Sequence, residues 1–190
     1  MQELVELDLS VFNTDFDPHK RAKQCLRVIK AVTENVPGKF EKRYRKNPLK
    51  ARVLFAENRQ TMLEFVAHLI TRFKRQELGF VSIEKYLNET WAYCLWLGER
   101  DARKTTKPDI EEWWNFQLGR FEKREISRET LRKYLECIVG FHQFLEKLPL
   151  KKTPVRFEWI QLPKKPRPQL EQPMPSQADV KKLIEAVFVD

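Results

Sequence analysis

Residues 126–150 read "ISRETLRKYLECIVGFHQFLEKLPL". Leu131, Tyr134, Leu135, Ile138, His142, Leu145 and Leu148 recur at steps of three and four, the spacing of one helical face. Ser127 stands where an N-cap belongs, and Pro149 where a helix must stop. The opening turns also hold Arg128, Thr130, Arg132 and Lys133. A helix built to bury one side therefore begins with hydroxyls and positive charges.

The same periodicity extends upstream. Over roughly 57–76, Met62, Phe65, Val66, Leu69, Ile70 and Phe73 form a stripe, with Gly79 as its breaker. A second helix is predicted from Ser82 to Leu97, with Ser82 as N-cap and Gly98 as stop; Ile83, Tyr86, Leu87, Trp91, Cys94 and Leu97 share its face. A third follows "TTKPD", where Thr106 and Asp109 have capping-box spacing and Pro108 suits a first turn. Its face is Ile110, Trp114, Leu118 and Phe121, with Trp113 and Phe116 as a second apolar edge. Short connections between these elements and the helix of 126–150 predict a compact bundle.

Around this bundle the composition changes. Residues 18–52 carry twelve Lys/Arg against two acids, within a chain of formal charge +9. Cys25, Leu26, Ile29 and Val32 have helical spacing there, up to Pro37-Gly38. "KFEKRYRKNPLKAR" then reads as a basic connector whose Phe40 and Tyr44 either pin it to the core or stack on bases. The basic excess fits a polyanion, above all nucleic acid, and equally fits a solvated surface. Downstream, residues 151–175 hold six of the eleven prolines and read as an extended linker. A further helix opens at Ser176, with capping-box spacing to Asp179. The chain stops at Asp190, so it is expected to be a piece of a longer protein.

Catalytic patterns are absent. The five glycines include no Walker or Rossmann loop, and His19, His68 and His142 have no ligand-spaced neighbours. His142 lies on an apolar face and reads as a core or boundary histidine rather than a ligand. Glu111 and Glu112 diverge by about 100° on a helix and suit its dipole. Cys25, Cys94 and Cys137 read as reduced thiols of a cytoplasmic protein. No run approaches the roughly 18 apolar residues of a membrane span, and no cofactor is expected.

"SIEKYL" and "SRETLRKYL" look alike as helix starts, each with Ser, early cations and a Tyr-Leu pair. Helix N-termini suit phosphates, while Arg and Lys reach phosphates or guanine edges. Plain capping followed by a solvated face remains the alternative. The order "SIEKYLNETWAYCLWL", "KPDIEEWWNFQL", "ISRETLRKYLECIVGFHQFL" and "LPKKPRPQLEQPMPSQADVKKLIEAV" resembles the core-binding domain, linker and catalytic-domain start of tyrosine recombinases of the phage-integrase type. This resemblance covers residues 57–188.

It implies an all-α, SAM-like four-helix core-binding bundle at 57–150, preceded by an extra basic segment (1–56, helical or arm-like) and followed by the linker (151–175). The start of a truncated catalytic domain would occupy 176–190. The implied parent cuts and rejoins DNA through a tyrosyl-phosphate, with its catalytic residues beyond this chain. Tyr44, Tyr86, Tyr93 and Tyr134 lie in the wrong region. The fragment itself would be non-catalytic and would clamp double-stranded DNA, with the parent a homo-tetramer on the recombination site and in the nucleoid. The candidate contacts are Ser82, Lys85, Ser127, Arg128, Thr130, Arg132, Lys133, Lys164, Lys165 and Arg167. A competing expectation is a helical protein-docking module, marked by an exposed surface of Trp96, Trp113 and Trp114.

Overall fold

The computed structural model describes residues 7–12, 20–35, 53–148, 155–164, 177 and 181. The 39–52 connector with its Phe40 and Tyr44, the Pro37-Gly38 stop, Pro149, His19, Lys165, Arg167 and the Ser176–Asp179 box lie outside the described residues. Those described form five α-helices and no strand: α1 (Arg21–Glu34), α2 (Ala56–Lys74), α3 (Phe80–Leu97), α4 (Lys107–Glu122) and α5 (Arg128–Leu145), with 3-10 turns at Leu9–Phe12 and Ala102–Lys104. The fold is all-α.

The apolar stripes dictate the packing. Met62, Phe65, Val66, Leu69 and Ile70 of α2, Ile83, Leu87, Trp91, Cys94 and Leu97 of α3, and Leu131, Ile138, Phe141 and Leu145 of α5 are all buried in one core. Each such side chain contributes about 1.5–3 kcal/mol by leaving water. α3 is the central helix, packed against α1, α2 and α5, while α4 leans on α5. Phe65, Phe141 and Phe144 meet at ring separations of 5.0–6.5 Å where α2 joins α5.

The described part of the basic N-terminal segment belongs to this same core. Cys25, Val28, Ile29 and Val32 of α1 are buried against α3 and α2. The last carbonyls of α1 have no intrahelical partner, and Arg59 of α2 serves two of them, donating to Val32 O at 3.1 Å and to Thr33 O. Asn35 ends α1 at φ 49° and locks it to the chain before α2, exchanging two hydrogen bonds with the backbone of Leu54.

Two helix starts follow their local signals. Ser127 caps α5, its hydroxyl accepting from Thr130 N–H, and Thr106 with Asp109 forms the capping box of α4. The second helix does not. Gly79 occupies the N-cap of α3, Phe80 and Val81 join the first turn, and Ser82 lies inside the helix with its N–H on Gly79 O. Phe80 stacks on Phe73 at 4.6 Å, and burying that pair draws the helix two residues upstream of the hydroxyl. The first helix likewise leaves its axis at Arg75, before Gly79. Gly98 does stop α3, at φ 61°, a conformation that favours glycine.

The capping box of α4 makes a measurable contribution. Thr106→Ala is expected to lose about 1 kcal/mol. Burial alone would raise the Asp109 carboxyl, but the Thr106 N–H, the Thr106 hydroxyl and Arg100 outweigh it and hold it below its ordinary value. A depressed carboxylate stabilises the fold above its unfolded pKa and loses that contribution as pH falls through the folded value. Asp109→Asn should therefore lower the urea midpoint at pH 7, and the difference should shrink below about pH 4. An equal difference at both pH values would contradict this.

Candidate nucleic-acid interface

The ten candidates arrive from α3, α5 and the segment after the bundle, and tertiary packing brings several together. Lys85 on α3 reaches across to Glu136 on α5, Nζ to Oε2 2.7 Å. Glu136 also holds Arg132 at 2.6 Å, and Arg132 forks onto Glu129 through Nη2 at 2.6 Å and Nε at 3.1 Å. The two cations and two carboxylates form one chain along the α3–α5 seam. Burial pulls the Lys85 ammonium down, but the hydrogen bond it donates to Glu136 and nearby negative charge hold it above its ordinary value. The Arg132 hydrogen bond holds the Glu129 carboxyl below the usual range. The seam is thus locally neutral, and its cations already have anions in place.

The opening hydroxyls of α5 are occupied as well. Ser127 Oγ accepts from Thr130 N–H at 3.1 Å and lies 3.0 Å from Thr130 Oγ1, so both serve the cap. Ser82, inside α3, is half-buried. Arg128 turns towards the chain leaving the bundle, its Nε donating to Pro163 O at 2.6 Å. That bond sets exposed Lys164 directly after a residue fastened to the first turn of α5. Lys133 is exposed, one position past Arg132.

Residues 155–164 are not a free tether. Val155 is buried, and Phe157, Trp159, Ile160 and Leu162 pack against the core. Phe157 meets His142 edge-on at 5.4 Å, and Lys107 lies over the Trp159 ring at 5.3 Å. The prolines dominate the segment in the sequence, while the apolar side chains that recur along "VRFEWIQL" were the available signal of its docking.

The tryptophan surface also differs from expectation. Trp113 is 2% and Trp114 4% exposed. Trp96 stacks near Tyr93 and lies under the Arg100 guanidinium at 4.5 Å. Arg100 in turn binds Glu112 at 2.5 Å and Asp109 at 3.4 Å, while Lys107 holds Glu111, so the paired acids of α4 are accounted for by ion pairs. His142 is fully buried with Nε2 3.2 Å from the Tyr93 hydroxyl, a core histidine as its position predicted.

The three cysteines are buried and in no disulfide, with burial pushing Cys137 up to about 12 and Cys94 further. Thiols held so far above neutrality are inert as nucleophiles. Among the described residues, no cluster of His, Cys, Asp or Glu could hold a metal, and no helix is long and apolar enough to cross a membrane. Comparison with family models, with curated proteins and with solved structures finds no match to this chain.

Proposed function

We propose that the chain is a DNA-binding clamp of the tyrosine-recombinase type: a four-helix core-binding bundle (α2–α5) that grips duplex DNA beside a separate catalytic domain. The observation that carries this reading is the Arg128–Pro163 bond. It ties the segment bearing Lys164 to the helix start bearing Lys133, so one phosphate-facing surface can draw on both elements. The resemblance over residues 57–188 supplies the enzyme class, the expected oligomer on DNA and the nucleoid location. Lys85 and Arg132 would meet phosphates only by exchanging Glu136 and Glu129 for them, so they contribute less than their charges suggest. The protein-docking alternative loses its motivation with the burial of Trp113 and Trp114.

The test is fluorescence anisotropy with a duplex of about 30 base pairs over a salt series. Each phosphate contact contributes close to one unit to the slope of log affinity against log salt. Lys133→Ala combined with Lys164→Ala should make that slope shallower by about two. An unchanged slope would remove this surface as the interface.

A further inference from the structure

A second row of exposed cations lies elsewhere, on the outer face of α1. Lys20, Lys23, Arg27 and Lys30 follow one another at steps of three, four and three, and all four are exposed. Such steps place them in a single row over about 15 Å of helix. The only acid on α1 is Glu34, which pairs with Lys30 at 3.5 Å. The row thus keeps a net charge of about three, where the α3–α5 seam keeps none.

The row is also placed against the helix's own interest. Its cations repel one another at adjacent turns. Lys20 and Lys23 sit at the positive end of the helix dipole, where the first turn has no acid of its own and no side-chain cap, and where Glu84 of α3 is paired with Arg21. Local rules broken without a structural gain mark a functional surface, and a polyanion along the row would relieve both conflicts.

The apolar face of α1 cannot enter a membrane, because Cys25, Val28, Ile29 and Val32 are consumed by the core. A helix that lies on lipid needs that face free. A duplex presents about nine phosphates over the same 15 Å. α1 packs chiefly on α3 and α2, so these cations stand on a different helix from the residues described above.

We infer that the outer face of α1 is a second DNA-backbone contact, reading no sequence and supplying salt-sensitive affinity. The inference extends the DNA-binding reading, from which it takes its partner, but uses different residues. The experiment compares the wild-type 190-residue chain with Lys23→Gln/Arg27→Gln/Lys30→Gln on duplexes of two unrelated sequences. The triple variant should melt no lower than wild type, since it removes repulsion. Its salt slope should be shallower by two to three, with affinity at low salt falling at least about tenfold, equally on both duplexes. Arg27→Gln alone, losing about one unit of slope, serves should the triple variant fail to fold.

Wild-type affinity in the variant would overturn the inference and leave the clamp reading intact. Loss through α1 with no effect of Lys133 and Lys164 would overturn the clamp reading and keep the inference. A wild-type chain that ignores duplex DNA would overturn both. So would variant-sensitive binding to phosphatidylserine vesicles with duplex binding unaffected, in the case of α1.

Discussion

Asn58→Ala is expected to destabilise the protein by about 3–4 kcal/mol, among the largest effects of any single polar substitution here. Asn58 is fully buried at the start of α2. Its amide Nδ2 donates to Gly98 O at 3.3 Å and Arg100 O at 2.8 Å, and its Oδ1 accepts from Ala102 N–H at 2.8 Å. One side chain thereby satisfies three backbone groups of the α3–α4 connection. Alanine leaves them facing an apolar cavity, and each buried unsatisfied group costs about 1–3 kcal/mol. Relaxation and water entry recover part of the sum. In a chain of this length the melting temperature should fall by roughly 6–16 °C. A fall under about 2 °C would mean that the connection holds itself without Asn58.

Phe141→Ala should cost about 3–5 kcal/mol, with Phe141→Leu costing under about 1.5 kcal/mol. Phe141 is fully buried on α5 and touches rings from two other helices, Phe65 of α2 at 5.0 Å and Tyr93 of α3 at 6.4 Å. Alanine opens a cavity where three helices meet, and close-packed surroundings collapse into it only in part. The urea midpoint should drop while the denaturant slope stays constant. A changed slope would instead report a loosened native state. The variant has a functional use as well. α5 bears Lys133 at its charged end and Phe141 in its buried half, so a loosened α5 with unaltered duplex binding would locate the clamp away from α5.

The caps at Ser127 and Thr106 were readable because a cap is settled within four residues of chain. The cap at Ser82 was misread because the competing start, Phe80 on Phe73, involves residues across a loop. Glu136 stands four residues after Arg132, so that ion pair was legible by spacing. Its second partner, Lys85, is 51 residues away and was not. The burial of Trp113 and Trp114 and the docking of Phe157 and Trp159 share that cause. An apolar side chain in a sequence declares that it wants a neighbour, without saying whether one is within reach.

Periodicity, caps and charge placement alone therefore established an all-helical chain, the positions of its main helices and a basic N-terminal segment with a helical apolar face, because these depend on residues a turn or two apart. Packing alone decided which cations meet carboxylates, that Asn58 and Arg59 close gaps between segments, and that the chain after α5 folds back onto the bundle. Those outcomes rest on contacts between residues tens of positions apart, whose partners exist only once the helices have found each other.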